Sequence, residues 1–158
     1  MKKLKIDLSM VEDAMEDVDR GYAEYYLNTE TGQVIMITGE IARYAEEELK
    51  DNLPEWMLDA IKIAKEVLVE NPESYIGIPS KPTYESYNLM VEFAESVPDE
   101  QLREKLSIAL DGKGAFRLFK MVLNDYQFYR EKWFQFKEQR LKTEILDWLK
   151  SIGIEVIE

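Results

Sequence analysis

Hydrophobic and polar positions change rhythm several times along this chain, and each change predicts an element. Leu4, Ile6 and Leu8 alternate with Lys3, Lys5 and Asp7, which predicts a short strand or extended lead-in. Ser9-Met10-Val11-Glu12 has capping-box spacing, and Val11, Ala14, Met15 and Val18 then recur at helical intervals. After Gly21 the Tyr-rich residues 22–28, YAEYYLN, have strand character. A turn at 29–32 and the apolar run QVIMI at 33–37 complete a β-hairpin. A helix follows from about residue 40 to 50, with Ile41, Tyr44, Ala45 and Leu49 on one face. Pro54 opens the next, striped by Met57, Ala60, Ile61, Ala64, Val67 and Leu68 and ended by Asn71-Pro72. YIGI at 75–78 is a short β-like piece that can join the hairpin sheet.

Ser80-Lys81-Pro82 starts a helix with Tyr87, Met90, Val91, Ala94 and Val97 as its inner face, and Leu102, Leu106 and Ala109 mark another. Gly112 and Gly114 end that one. From Ala115 the sequence is almost wholly apolar, leaving only Arg117, Lys120 and Asn124 as a polar stripe. This predicts a central helix, Ala115 to Asp125, buried on most sides with the rest of the chain packed around it. A long helix from about Phe128 to Ser151 carries Phe134, Leu141, Ile145, Trp148 and Ile152 as its stripe and stops at Gly153. Ile154, Val156 and Ile157 predict a terminal strand. The expected fold is α+β: a small antiparallel sheet built on a β-hairpin, packed against a bundle of about six helices, in a single globular domain over residues 1–158.

Composition narrows the chemistry. There is no cysteine and no histidine among the 158 residues. Disulfides, cysteine nucleophiles, histidine bases and the usual zinc sites are therefore excluded. A metal would have to be a hard cation held by oxygens, and no metal site or cofactor is expected. No apolar run approaches the ~20 residues of a membrane span, and the first ten residues hold no apolar signal core, so the expectation is a cytoplasmic protein. The net charge of −12 opposes general nucleic-acid affinity. It is unevenly spread: residues 1–110 have a balance of −13 and residues 111–150 a balance of +3. An acidic body with a basic segment can pair with itself or offer a local positive face.

Four segments carry a family resemblance: YYLNTETGQV at 25–34, YIGIPS at 75–80, GKGAFRLFKMVL at 112–123 and WFQFKEQRLKTEILDWL at 133–149. In this order they resemble a bacterial uncharacterised protein family, number one-five-eight of the UPF series. The most specific part is the Gly-x-Gly-Ala-Phe-Arg-x-Phe-Lys run. A second arginine often follows the first in the family pattern; here Leu118 stands there. The resemblance spans nearly the whole chain and implies a compact domain, with no activity attached.

Three groups of residues are candidate sites. Lys113, Arg117 and Lys120, at spacings of four and three, line one side of a helix start that favours anions. The bland alternative pairs them with acids of a neighbouring helix. On the last helix Arg130, Lys137 and Arg140 alternate with Trp133, Phe134 and Phe136, a pattern that suits stacking on single-stranded nucleic acid but equally a core with a solvated face. Tyr22, Tyr25 and Tyr26 offer a partner surface, alternation placing Tyr22 and Tyr26 on one side and Tyr25 on the other. The acid-rich stretch 40–73, with ten acids and four bases, reads as a solvated face. No catalytic constellation is visible. The leading expectation is a non-enzymatic protein-interaction or regulatory protein with an unidentified protein partner. The alternative is an anion, nucleotide or RNA binding module using Lys113, Arg117, Lys120, Lys137 and Arg140. A carboxylate metal-dependent hydrolase stands third.

Overall fold

The computed structural model describes residues 1–17, 21–48 and 52–157. They run in the order β1 (Lys2–Lys5), α1 (Leu8–Glu16), β2 (Ala23–Asn28), β3 (Val34–Thr38), α2 (Gly39–Glu47), α3 (Glu55–Lys65), β4 (Tyr75–Gly77), α4 (Thr83–Ser96), α5 (Glu100–Leu110), α6 (Ala115–Asn124), α7 (Gln127–Ser151) and β5 (Ile154–Ile157). A π-helical turn, Glu66–Glu70, continues α3. The architecture is α+β, as the sequence predicts. Val18 and Leu49, expected on helix stripes, lie outside the described residues. The chain divides into two compact units, Met1–Ser80 with Glu144–Glu158, and Lys81–Thr143; α7 contributes to both.

In the first unit β2 is the middle strand of an antiparallel sheet ordered β3-β2-β4. Tyr26 stands opposite Ile35, and Leu27 stands between Val34 and Ile76. Successive strand side chains point to opposite faces, so β2 feeds two cores. Tyr25, Leu27, Val34 and Ile76 pack with Val11, Ala14 and Met15 of α1 and with Ile145 and Leu149 of α7. Tyr26, Ile35 and Ile37 pack with Ile41 and Ala45 of α2 and with Met57, Ile61 and Ala64 of α3. A sheet covered on both faces needs apolar residues at consecutive positions, which is why β3 reads as a run rather than an alternation. β1 and β5 pair in parallel, Lys2 beside Ile154 through Lys5 beside Ile157.

The start of α1 differs from the capping-box expectation. Asp7 is the N-cap: its carboxylate accepts the Ser9 backbone N–H at 3.0 Å and the Ser9 hydroxyl at 2.6 Å. Aspartate ranks with serine as a cap, and the one standing earlier in the chain takes the free N–H. Two hydrogen bonds from Ser9 hold the Asp7 carboxyl below its ordinary value.

The second unit packs α4, α5, α6 and residues 127–143 of α7 around aromatic rings. Phe119, fully buried, meets Trp133 with ring centres 5.0 Å apart and Phe93 at 6.4 Å, both edge-on. Leu89, Met90, Phe93, Ala94 and Val97 are the buried residues of α4's segment, with Tyr87 partly buried against them. The Tyr87 hydroxyl donates to the Leu110 carbonyl at 2.8 Å, satisfying one of the free acceptors at the end of α5.

Two expectations are corrected here. α6 is not buried on most sides: Ala115, Phe119 and Leu123 face inward, whereas Phe116 and Met121 are 39% and 53% exposed. Its neighbours cover one stripe of spacing four, and an apolar residue off that stripe stays outside. On α7 the buried residues are Trp133, Leu141, Ile145 and Leu149, and Phe134 is exposed under the Arg130 guanidinium, 5.3 Å from the ring centre. α7 serves two cores, each with its own inward face, so one stripe drawn through both selects the wrong neighbour of the 133–134 pair.

Candidate interaction face

The Asp111–Gly114 turn sets where the α6 side chains point. Gly112 has φ +125° and Gly114 φ +74°, conformations open to glycine without strain. Gly114 is the N-cap of α6, and its carbonyl accepts the Leu118 N–H at 2.9 Å. From there Lys113, Phe116, Arg117, Lys120, Met121 and Asn124 follow at spacings of three, one, three, one and three. At about 100° per residue Arg117, Lys120, Met121 and Asn124 turn away from Ala115, Phe119 and Leu123, Phe116 stands at the border of that buried stripe, and Lys113 precedes the helix in the turn. All six are exposed. Residues 112–124 contain no acid. Among the described residues Lys113, Arg117 and Lys120 have no carboxylate within ion-pair distance, so the internal pairing that would make them merely structural is not formed. The Arg117 guanidinium reaches back toward the turn, 4.0 Å from where a side chain on Gly114 would begin.

The two cations of α7 do not belong to this face. Arg140 donates from both terminal nitrogens to Glu92, one at 3.0 Å, and lies 5.1 Å over the Phe136 ring. Lys137 is half-buried and engaged by neighbours. Hydrogen bonding from Arg140 holds the Glu92 carboxyl below its ordinary value of 4.5. The pair therefore supports the fold above the unfolded carboxyl's titration range and loses that support as pH falls through the lowered Glu92 value. In Arg140→Gln the Glu92 side-chain carbon, followed by NMR, is expected to titrate at higher pH than in the parent. Coincident curves would show that the ion pair is not populated in solution.

The tyrosines are divided between cores. Tyr25 packs on the α1 side of the sheet and its hydroxyl donates to Asp17. Tyr26 packs on the α2–α3 side, where burial first, and then the charges of Glu24 and Glu46, push its hydroxyl pKa up. Tyr22 is 68% exposed. Tyr22 and Tyr26 line one small cleft of about 190 Å³, on the same side as alternation requires. A larger cleft of about 730 Å³ lies between α4 and α7, walled by Phe93, Phe128, Tyr129 and Phe136 with Lys132 and Arg140 among its lining. Among the described residues no group of three acids gathers where it would hold a metal ion. No helix of the described residues is long and apolar enough to cross a membrane.

The sequence model of the uncharacterised protein family UPF0158 matches residues 1–158. The chain belongs to UPF0158. A UPF0158 protein of Pseudomonas aeruginosa is 26% identical over 155 residues, which cover 98% of this chain and 88% of that relative. UPF0158 proteins of Chlamydia pneumoniae and Chlamydia trachomatis are 35% and 34% identical over 94 residues. Those matches cover 59% of this chain but 29% and 28% of the chlamydial proteins, which are much longer. No solved structure matches the chain. Family membership assigns no activity, so the function of this UPF0158 chain has to be argued from its surface.

The three cations of the α6 segment are visible in the sequence; the exposure of Phe116 and Met121 is not. An apolar run around Phe116 and Met121 predicts burial for both. The signal lies in the spacing of Met121, four after Arg117; Phe116 stands four before Lys120 but also three before the buried Phe119, at the edge of both stripes.

Proposed function

We propose that this UPF0158 protein is a non-enzymatic, cytoplasmic interaction or regulatory protein whose outer α6 face receives an acidic, partly apolar segment of another protein. One observation carries the reading: two exposed apolar side chains, Phe116 and Met121, lie among three cations that have no internal partner among the described residues. Aromatic residues, methionine and arginine are the types enriched where protein surfaces meet. Unpaired cations around them add on-rate and select an acidic partner. Leaving Phe116 and Met121 in water gains nothing for the fold, whereas covering them on binding does. A labelled helical peptide with leucines and glutamates on one face is the direct probe. Binding should weaken by about tenfold or more, a 1.4 kcal/mol change, in Arg117→Glu/Lys120→Glu. Unchanged binding in that variant would remove α6 as the docking face, and a reproducible turnover abolished at one residue would remove the non-enzymatic reading.

The same cations favour a second reading, a module that binds a phosphate or nucleotide at Lys113, Arg117 and Lys120. A ligand at a hundred times its dissociation constant adds about 2.7 kcal/mol. For a domain of this size that raises the melting temperature by roughly 5–10 °C. Such a rise with phosphate or a nucleotide, lost in Arg117→Ala, would place the anion reading first. A flat panel leaves the protein-docking reading in front.

A further inference from the structure

A second exposed helix face on this chain has the opposite character to α6. Along α3 and its π-helical turn, Trp56, Asp59, Ile63, Glu66 and Glu70 recur at spacings of three, four, three and four, which keeps them on one side. All five are exposed, Trp56 at 67% and Ile63 at 47%. A shallow cleft of about 550 Å³ runs along this face, with Asp59, Ile63, Glu66 and Glu70 in its walls and Lys62 as its cation. The face thus presents Trp56 and Ile63 beside a stripe of three carboxylates, with Lys62 in the cleft wall. Among the described residues neither Asp59 nor Glu70 has an ion-pair partner. Tyr75 stands beside Glu66: burial first, and then the Glu66 carboxylate, push the Tyr75 hydroxyl pKa up.

We propose that the partner of the α6 face is a second copy of this chain, which offers its α3 face to the α6 of the first. The inference rests on the docking reading above and names its partner. Charge complementarity is the first argument: Lys113, Arg117 and Lys120, on a stretch without an acid, meet Asp59, Glu66 and Glu70, among which Lys62 is the cation of the cleft wall. Dimensions are the second. At about 1.5 Å per residue, Phe116 and Met121 are about 7.5 Å apart along α6, and Trp56 and Ile63 about 10.5 Å apart along α3. Around the helix axes the cations of α6 lie between Phe116 and Met121, and the acids of α3 flank Trp56 and Ile63 on one side, so each face offers charge and apolar surface together. The contact is heterologous, one face meeting a different one, so it closes as a dimer only when both copies exchange it.

Each copy carries a net charge of −12, so two copies repel at long range while these faces attract locally. Salt screens both effects, which makes charge exchange a cleaner test than ionic strength. Sedimentation velocity up to about 1 mM protein should show the wild-type mass rising with concentration. Arg117→Glu/Lys120→Glu should stay monomeric, and so should Asp59→Lys/Glu70→Lys. The second variant lowers the net negative charge by four units, so its loss of association cannot come from added general repulsion. Mixing the two variants should restore association, because the intact α6 of one meets the intact α3 of the other. Phe116→Ala should weaken wild-type association by about tenfold or more. All altered residues are exposed, and unchanged melting temperatures would confirm that the variants fold. A wild type that remains monomeric overturns the proposal, as does either variant associating normally alone, or a mixture that stays monomeric. If the wild type is monomeric yet still binds the acidic helical peptide through α6, the second copy is excluded and the docking face stands. If it does neither, both fall.

Discussion

Phe119→Ala is expected to destabilise the protein by about 3–5 kcal/mol, the usual range for removing a buried ring. For a domain of this length that is a fall in melting temperature of roughly 6–20 °C. Phe119 is wholly inaccessible and is one of the three residues with which α6 faces its own core. Its edge meets Trp133 at 5.0 Å and Phe93 at 6.4 Å between ring centres, so truncation opens a cavity and also breaks two aromatic pairs. Phe119→Leu refills part of that space and should cost about 1.5 kcal/mol or somewhat more, well short of the alanine value. Met121, two residues along the same helix, is 53% exposed. Met121→Ala should change stability by no more than about 0.5 kcal/mol. The contrast, measured by urea unfolding, tests the feature on which the functional reading depends, namely that α6 has one buried and one open side. Equal losses in the two alanine variants would mean that the supposed docking face is core.

That one-sidedness is also where the sequence stopped being legible. Helix boundaries, the hairpin and the β4 segment could be read because their signals are local: Gly112, Gly114 and Gly153 at positive φ, and apolar positions at spacings of two or near 3.6. The second, two-stranded sheet was less legible. β1 and β5 were each visible as apolar alternations, but their pairing joins Lys2 to Ile154, and nothing local encodes a contact of that separation. The apolar richness of α6 predicts burial on most sides, but apolar content reports how much can be buried and spacing reports which part is. The split role of β2 was half visible, since alternation separates Tyr25 from Tyr26, but both phenol-bearing faces turned out to be covered. Among the candidate site residues, the spacing of Lys113, Arg117 and Lys120 makes them neighbours in sequence, and all three are exposed. Arg140 could not be separated from them by sequence, because its carboxylate partner Glu92 lies 48 residues earlier.

Gly32→Ala should be costly for a different reason, the geometry of the hairpin turn. The turn is held by the Gly32 N–H donating to the Asn28 carbonyl at 2.8 Å and by the Asn28 N–H donating to the Gln33 carbonyl at 2.8 Å. The Asn28 side-chain oxygen also accepts from the Glu30 and Thr31 N–H groups, at 2.8 and 3.1 Å. These bonds fix Gly32 at φ +82°, where a side chain is strained. They also press it against the β1–α1 connection: a Cβ there would stand 2.6 Å from the Lys5 carbonyl oxygen and 2.9 Å from Ile6 Cγ1. The Lys5 oxygen is backbone of a strand paired to β5, and Ile6 is a buried core residue, so neither can swing aside. Adding the left-handed strain to the overpacking gives an expected loss of about 3 kcal/mol. The corresponding drop in melting temperature is roughly 6–12 °C. Two other glycines separate the terms. Gly112 has φ +125° with nothing within 4 Å of a Cβ, so Gly112→Ala should show strain alone, about 1–3 kcal/mol. Gly77 has neither a positive φ nor a neighbour within 4 Å, and Gly77→Ala should stay within about 0.5 kcal/mol. An order of Gly32, Gly112, Gly77 in measured losses would show that the hairpin tip is wedged against the first strand. A Gly32→Ala no worse than Gly112→Ala would show that the turn is free of it, and that the hairpin is held in the first unit by the packing of β2 alone.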